Sequence, residues 1–349
     1  MSFFTCYNIR LAGIASSVPK KVVKNSEYTY VGEDERNFLM KTTGIVEKRH
    51  APSGITTTDL GEKAANELLD QLGWKREDID ILVLVTQSRD YYLPSSAVIL
   101  QDRLELPSTC MAFDVGLGCS GYVYGLSIIS KFLQDGQLKK GLLIAGDVST
   151  VSTNFEDKST YPLFGDAATA TAVCYDETAE PIAFEMENDG SGYDTIIIRD
   201  GGAKNQLNDS TTQMKNYGPG INRTMKDLEL NGLDVFSFSI NEPPKNIRSI
   251  LQRTNTEISD IDYYVFHQAN KLIIETIRKK LKIEKEKVPY SLTYYGNTSS
   301  ASIPLTICDQ IKDEVKHKRI LFCGFGVGLS WGSCIVNTKD ILCLTPIEF

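Results

Sequence analysis

The stretch DVGLGCSGYVYGL, residues 114–126, governs the interpretation of the rest of the chain. Residues 110–113 form an apolar segment typical of a strand, and residues from 121 onward carry apolar side chains at helical spacing. Cys119 therefore lies at a strand-to-helix turn, where small neighbours leave room for another molecule. The N–H groups and partial positive charge of a helix N-terminus favour a thiolate, which suits a nucleophile. A small buried structural cysteine explains the same pattern, so residues elsewhere must decide.

Composition limits the class of protein. The chain has 349 residues, of which 42% are hydrophobic and 23% charged, and its net charge is −8 at pH 7. These values are typical of a globular protein that binds neither nucleic acid nor an anionic membrane. No apolar run reaches the roughly 18 residues of a membrane span, and the first residues lack a signal-peptide pattern. The eight cysteines form no C-x-x-C motif, so we expect reduced thiols in a cytoplasmic protein.

The order of strands and helices predicts an α/β fold with helices on the faces of a sheet. Apolar strands are expected at 9–15, 79–86 and 141–147, and a helix from Thr57 to about Leu72 lies between the first two. The segment 79–86 is almost entirely apolar, which is typical of a parallel strand buried on both faces.

A long repeat indicates two similar halves. The helix, the Asp-Ile-Asp triplet and the apolar strand around residue 78 recur around residue 260, which is 182 residues later. The strand 142–146 matches 320–324 at a distance of 178 residues, and Cys119 matches Ser299 at a distance of 180. Because three segments agree in order and spacing, we predict two duplicated α/β halves, residues 1–180 and residues 181–349.

Two further turns carry polar residues that could act with Cys119. His267 ends the strand 263–266, and Asn297 lies in a turn that leads into a helix. Ligand sites of open α/β sheets lie at the carboxyl ends of strands, so we expect these three residues to converge. A structural histidine and a helix N-cap explain His267 and Asn297 taken singly, and it is their convergence with Cys119 that favours catalysis.

The glycine-rich segment 323–332 follows another strand. A nucleotide-binding loop would need G-K-[ST], or a following helix and a more distant acidic residue, and neither is present. We interpret the segment as a source of backbone N–H groups that would form an oxyanion hole with the N–H of Cys119. The polar segment 201–222 is interpreted as a flap or part of a substrate mouth.

Together these segments resemble the β-ketoacyl-acyl-carrier-protein synthase III family, within the thiolase-like condensing enzymes. The resemblance covers nearly the whole chain, and its Cys-His-Asn set distinguishes this branch, shared with chalcone-synthase-like enzymes, from elongating synthases and thiolases. It implies a five-layer αβαβα fold made of two duplicated halves, usually assembled as a homodimer. The matching residues are Asp114, Cys119-Ser120-Gly121, Phe164-Gly165-Asp166-Ala167-Ala168, His267-Gln268-Ala269-Asn270, Gly296-Asn297-Thr298-Ser299 and the run from Gly324 to Gly332.

The resemblance implies a decarboxylative Claisen condensation. Cys119 would take an acyl group from an acyl-CoA or acyl-carrier thioester, and malonyl-acyl-carrier-protein would then supply the carbanion that gives a 3-oxoacyl thioester. His267, in its neutral form, and Asn297 would hold the malonyl thioester oxygen, while the N–H groups of Cys119 and Val327 would form the oxyanion hole. No metal or other cofactor is implied, because coenzyme A and phosphopantetheine thioesters are substrates and acyl carrier protein is the partner.

Further residues are assigned to substrate and carrier contacts. The basic helix after His267 is interpreted as a docking face for an acidic acyl carrier protein, although a solvated helix surface explains the same charges. Leu93 is expected near the acyl pocket, reaching across a dimer. The docking residues are Lys271, Arg278 and Lys279, and the substrate-binding residues are Phe38, Leu93, Phe164, Asn270, Phe325 and Gly326.

Several positions depart from the family's pattern. Housekeeping members usually have a Trp and an Arg that bind the adenine of coenzyme A, and Phe38 and Thr42 occupy those positions here. Leu272 occupies a position where a basic docking residue is common. Lys158 occupies a position where an arginine is usual. We therefore expect a specialised paralogue that serves a secondary metabolite, a surface glycan or an unusual lipid. Two other functions stay open: acyl transfer to an alcohol or amine without condensation, and a non-catalytic partner subunit.

Overall fold

The computed structural model describes residues 2–349. The strands are β1 (Ser2–Cys6), β2 (Ile9–Val18), β3 (Val22–Lys24), β4 (Glu47–Arg49), β5 (Ile81–Val85), β6 (Met111–Val115), β7 (Lys140–Asp147), β8 (Ala167–Tyr175), β9 (Ile182–Asn188), β10 (Ile196–Ile197), β11 (Lys215–Gly218), β12 (Ile221–Arg223), β13 (Glu229–Leu230), β14 (Tyr263–Phe266), β15 (Arg319–Gly326), β16 (Ser330–Asn337), β17 (Leu342–Cys343) and β18 (Ile347–Glu348). The helices are α1 (Glu33–Thr43), α2 (Thr57–Leu72), α3 (Ser96–Arg103), α4 (Gly121–Leu133), α5 (Gly232–Arg253), α6 (Lys271–Leu281), α7 (Leu292–Tyr295) and α8 (Ser302–Thr306).

Two mixed sheets share the same internal order. Strands β2, β8, β7 and β5 are neighbours in the first sheet, and β9, β16, β15 and β14 are neighbours in the second. In both sets the first two pairs are antiparallel and the last pair is parallel. The sheets therefore contain the repeat that the sequence indicates.

The ends of the chain cross between the two sheets. Strand β1 pairs with β9 in the second sheet, whereas β17 and β18 pair with β2 in the first. Each sheet thus takes strands from both ends of the chain. The division into residues 1–180 and 181–349 as two units stays a prediction.

Three hydrophobic clusters arrange the elements in five layers. Helices α2 and α3 pack on the outer face of the first sheet, α4 and α8 fill the space between the sheets, and α5 and α6 cover the outer face of the second. This is the αβαβα thiolase-like fold that the resemblance implied. Strand β5 is fully buried because Ile81, Val83 and Val85 face α4 while Leu82 and Leu84 face α2 and α3.

The strand ends bring the candidate residues to one region. Cys119 follows β6, His267 follows β14, and the turn after β15 reverses the chain into β16. The glycine-rich segment is therefore a β-hairpin, which agrees with its interpretation as a backbone N–H source. Within residues 2–349, no helix combines the length and the apolar character needed to cross a membrane.

Candidate active site

Cys119 lies between β6 and α4, and it is only 7% exposed. Two glycines of β15 allow the second sheet to touch this turn. A β-carbon on Gly324 would lie 2.9 Å from the Cys119 carbonyl oxygen, and one on Gly326 would lie 2.7 Å from Cys119 Cβ. Any larger side chain at either position would push the sheets apart or displace the thiol. The hydroxyls of Ser120 and Ser330, 2.7 Å apart, join the turn to β16, the strand that pairs with β15.

The thiol is protonated at neutral pH, which corrects the expectation of a thiolate. Burial raises the pKa of Cys119 to about 12, and the carboxylate of Asp147 adds to the effect. A hydrogen bond with Ser299 and the backbone N–H groups of Val327 and Cys119 lower the pKa but do not offset burial. The sequence indicated the helix terminus, whereas the covering of the sulfur by the second half of the chain could not be seen in it.

His267 is a neutral, fixed imidazole. It is 1% exposed, its Nδ1 lies 2.8 Å from Ser302 Oγ, and its ring packs edge-on against Phe325 with 5.5 Å between centroids. Burial lowers the pKa of His267 to about 3, and a hydrogen bond with the backbone of Ser299 only partly opposes this. The neutral form assigned from the resemblance is therefore the form present at pH 7.

Asn297 is held by its backbone and by one side-chain oxygen. Its N–H donates to the Leu163 carbonyl at 2.8 Å, and its own carbonyl accepts from the N–H of Gly165 at 3.0 Å. Its Oδ1 accepts from the N–H of Ser299 at 3.0 Å. The Nδ2 amide is thus the group left to donate to a bound molecule.

Two residues that the sequence reasoning gave no role connect the halves at this point. Ser299 Oγ lies 3.9 Å from Cys119 Sγ, and its hydroxyl also bonds Asp147. Asp147 is 2% exposed and accepts hydrogen bonds from the N–H of Gln87 at 2.7 Å and from Ser300 Oγ at 3.2 Å. Burial raises the pKa of Asp147. The position of Asp147 at the end of a buried strand was the signal available in the sequence.

A cavity of about 520 Å³ contains the three candidate residues together. Cys119, His267 and Asn297 all line it, as does Val327. Most of its wall is apolar, and α5, α6 and the short strands β10 and β13 contribute part of it. Four of the residues assigned to substrate binding also line it, namely Phe164, Asn270, Phe325 and Gly326.

The structure does not bring Phe38 or Leu93 to this wall. Their side chains are 64% and 87% exposed, and from α1 it is Leu39 and Thr43 that face the cavity. The substrate contacts assigned to Phe38 and Leu93 stay predictions. The structure describes the whole of segment 201–222, and none of its residues lines the cavity. The lining residues on either side of this segment in the sequence lie within 196–198 and 228–236.

The three assigned docking residues differ in how free their charges are. Lys271 and Lys279 are exposed on α6. Arg278 is partly buried, pairs with Glu275 at 2.8 Å and donates to the Ile283 carbonyl at 2.8 Å. Its charge is therefore satisfied within the chain, which corrects its assignment as a docking residue.

The two departures at the cavity leave it with little free positive charge. Lys158 lines the wall, but its ammonium pairs with Glu35 at 2.5 Å, and Leu272 lines it as an apolar residue. Across residues 2–349 no group of three or more His, Cys, Asp or Glu side chains is arranged to hold a metal ion. The expectation that no cofactor is needed stays a prediction.

The fold and the site define a thiolase-like condensing enzyme. Two family models match, one for 3-oxoacyl-[acyl-carrier-protein] synthase III over residues 113–190 and one for its C-terminal part over residues 251–338. The chain belongs to the β-ketoacyl-[acyl-carrier-protein] synthase III family.

Individual proteins support this assignment. The β-ketoacyl-[acyl-carrier-protein] synthase III of Clostridium perfringens is 32% identical over 333 residues, which are 95% of this chain and 99% of the relative. A putative 3-oxoacyl-[acyl-carrier-protein] synthase 3 of Campylobacter jejuni is also 32% identical, over 95% of this chain and 94% of the relative. The crystal structure of a 3-oxoacyl-(acyl-carrier protein) synthase from Burkholderia xenovorans superposes with a TM-score of 0.93 at 33% identity, covering 100% of this chain and 99% of that one.

Proposed function

We propose that this condensing enzyme forms 3-oxoacyl thioesters in two steps, through an acyl group carried on Cys119. The observation that carries the proposal is the convergence of Cys119, His267 and Asn297 on one cavity. The second substrate is malonyl-acyl-carrier-protein, and the first is an acyl-CoA or acyl-carrier thioester. Both reach Cys119 as phosphopantetheine thioesters, so the same cavity serves both.

The first step is acyl transfer to the thiol. Because Cys119 is protonated at rest, its proton must leave as Sγ attacks the thioester carbonyl. A C–S bond forms to Cys119, the donor's C–S bond breaks, and the proton ends on the departing thiol. The N–H groups of Cys119 and Val327 face the sulfur and are placed to bind the negative oxygen of the tetrahedral intermediate. Loss of one such donor typically costs on the order of 10²-fold.

The second step is decarboxylation and carbon–carbon bond formation. The malonyl carboxylate leaves as CO₂, and its electron pair forms an enolate at the thioester. Asn297 Nδ2 and the neutral imidazole of His267 would donate to that oxygen, and the lining of the cavity by both residues supports this role. When Ser302 Oγ donates to Nδ1, the hydrogen of His267 lies on Nε2 and can be donated. The carbanion attacks the acyl carbonyl, and the Cys119 thiolate departs and regains a proton.

Intact-protein mass spectrometry tests this assignment step by step. Wild type should gain the mass of an acyl group from a thioester donor, and the Cys119→Ala variant should not. Adding malonyl-carrier should then remove the acyl group with release of CO₂. The His267→Ala and Asn297→Ala variants should load the acyl group but condense at least 10²-fold more slowly. Absence of loading from every donor, or acyl loss without CO₂, would contradict the proposal.

The carrier docks, in this proposal, beside α6. Lys271 and Lys279 are exposed there, and Leu272 between them lines the cavity. The double variant Lys271→Glu/Lys279→Glu should raise KM for malonyl-carrier, most strongly at low salt. Lys75→Glu, an exposed lysine after α2 on the opposite outer layer, is the control and should leave KM unchanged. Equal effects of the two variants would count against this face.

We also propose a homodimer formed through the open edge of the first sheet. Strand β6 ends that sheet, so one side of it has unpaired backbone groups. The consecutive residues Tyr91, Tyr92 and Leu93 are 63%, 71% and 87% exposed. Exposed apolar side chains grouped in this way are typical of a protein–protein interface. Light scattering should give twice the monomer mass, and Tyr91→Asp/Leu93→Asp should give a monomer. A monomeric wild type at micromolar concentration would refute the assembly.

Two finer expectations belong to the same proposal. The apolar Leu272 and the neutralised Lys158 support a specialised paralogue rather than a housekeeping initiator that binds acetyl-CoA tightly. Efficient acetyl-CoA priming at low micromolar concentration, with rescue of an initiation-deficient strain, would contradict that. The cytoplasm is the proposed location, which the eight free cysteines support.

A further inference from the structure

One side of the cavity differs from the rest of its wall. Most of the wall is apolar, but the side formed by the carboxyl ends of β5 and β7 carries Gln87, Ser149 and Ser152. Strand β5 lies between β6 and β7, so this polar side directly adjoins the turn that carries Cys119. We call Gln87, Ser149 and Ser152 the polar side of the cavity.

Gln87 lies against the nucleophile turn. A β-carbon on Gly118 would collide with Gln87 Oε1, and Gly118 immediately precedes Cys119. The side-chain amide is therefore next to the place where an acyl group on Cys119 begins. Its backbone is fixed, because the N–H of Gln87 donates to Asp147 Oδ1 at 2.7 Å.

The two serines are also held in place by their backbone. Between them, Thr150 donates its N–H to Asp166 at 3.0 Å, and the carbonyl of Ser152 accepts from the N–H of Leu228 at 2.7 Å. The backbone of the segment that carries both serines is thus fixed before any substrate binds, which lowers the cost of using them.

The polar groups on this side are unused within the chain. Among residues 2–349, no protein group hydrogen-bonds the Gln87 carboxamide or the hydroxyls of Ser149 and Ser152. Ser88, in the same wall, is different, because its hydroxyl bonds the N–H of Val148 and the hydroxyl of Thr57, both at 2.8 Å. Ser88 is structural, whereas the polar side offers donors and acceptors to the cavity.

We propose that the acyl group loaded onto Cys119 carries a hydrogen-bonding substituent, a hydroxyl group close to its thioester carbonyl, which Gln87 binds with Ser149 and Ser152. A plain alkyl chain in this place would cover the half-buried hydroxyls of Ser149 and Ser152 and leave them without a partner, which disfavours it. A hydroxyl group on the acyl chain would supply that partner, and the more exposed amide of Gln87 would bind it from the side of Cys119. The inference rests on the proposed function, since it names the class of acyl donor for the same site.

The test compares two donors that differ by one hydroxyl group. Acylation of Cys119 is timed by intact-protein mass spectrometry with the pantetheine thioesters of 3-hydroxybutanoate and butanoate. We expect wild type to favour the hydroxylated donor about tenfold, the size of one good hydrogen bond. Gln87→Met, which keeps the length of the side chain without its amide, should remove most of that preference, and Gln87→Met/Ser149→Ala/Ser152→Ala should remove it all.

The control repeats the substitution outside the cavity. Gln137 is exposed in the loop after α4, and Gln137→Met should keep the wild-type ratio. Thermal unfolding of each variant checks that it is folded. Equal or faster loading of butanoate by wild type, or a preference that survives in the triple variant, overturns this inference alone. Loading by neither donor overturns the proposed function, and the inference falls with it.

Discussion

Gly326→Ala should separate the position of the thiol from the stability of the fold. Gly326 is the last residue of β15, and a β-carbon there would lie 2.7 Å from Cys119 Cβ and 3.0 Å from Sγ. Non-bonded carbon atoms are most stable about 3.5–4.0 Å apart, so roughly 1 Å of relief is required. The main chain of β15 cannot easily supply it, because the space beside Gly324 is too small even for a β-carbon, which would lie 2.9 Å from the Cys119 carbonyl oxygen.

The side chain of Cys119 is therefore the group that must move. It would rotate away from the N–H groups of Val327 and Cys119, which the tetrahedral oxygen needs. A misplacement of about 1 Å at a reacting atom commonly costs about 10²-fold. We expect the acylation rate to fall by about that factor, and the free energy of unfolding to fall by about 1–3 kcal/mol from overpacking.

Gly332→Ala supplies the matched control. Gly332 pairs with Gly324 across β15 and β16, and its added β-carbon would meet the flexible thioether of Met186 rather than the thiol. It should lower stability to a similar extent while acylation stays within about threefold. Rapid-quench mass spectrometry and urea unfolding measure the two quantities. A folded Gly326→Ala enzyme that acylates at the wild-type rate, or a Gly332→Ala enzyme that loses as much activity, would refute the reasoning.

Three further predictions concern protonation. Because the pKa of Cys119 is about 12, its alkylation by iodoacetamide should accelerate about tenfold per pH unit up to pH 10. The Cys119→Ser variant is the blank. A rate that levels off near pH 8 would contradict the raised pKa. The pKa of His267 is about 3, so the rate of condensation by pre-acylated enzyme should not change with pH near 6.5 through this residue. A rate that falls on acidification through pH 6.5 in wild type, but not in His267→Gln, would show a protonated imidazole. Burial lowers the pKa of Lys48 from 10.5 to about 7. Between pH 7 and pH 10.5 the unfolded chain therefore binds more protons at Lys48 than the folded chain does, so the free energy of unfolding of wild type should rise with pH. Lys48→Met should lose that rise in urea unfolding from pH 7 to pH 10, and an unchanged slope would point to another group.

The periodic parts of the sequence predict the fold well. The helix Thr57–Leu72 has the predicted bounds, and β5 lies within the predicted 79–86 because its side chains are buried on both faces. The repeat was visible because both halves use the same order of strands. The convergence of Cys119, His267 and Asn297 was predicted from the rule that ligand sites lie at the carboxyl ends of strands. In the structure Cys119 and His267 follow strands of different sheets and Asn297 follows α7, so it is the packing of the two sheets that brings them together.

What the sequence could not give depends on contacts between distant segments. The pKa of Cys119 is set by the second half of the chain covering the sulfur, which reverses the sign expected from the helix terminus alone. The inner face of α1 is decided by what packs against it, so Leu39 lines the cavity and Phe38 does not. Arg278 is neutralised by Glu275, three residues earlier, and that pair could have been recognised from helical spacing.

The contacts around residue 299 explain why a whole turn, and not Asn297 alone, defines the site. Ser300 Oγ donates to Asp147 at 3.2 Å, and Ser299 Oγ reaches both Asp147 and Cys119. Asp147 belongs to the first sheet, so these bonds fix the turn of the second half against the strand ends of the first. The N–H of Ser299 in turn holds Asn297 Oδ1, which aims Nδ2. Cys119 on the first half and Asn297 on the second are thereby held in a fixed relation, which the proposed two-step condensation at a single sulfur requires.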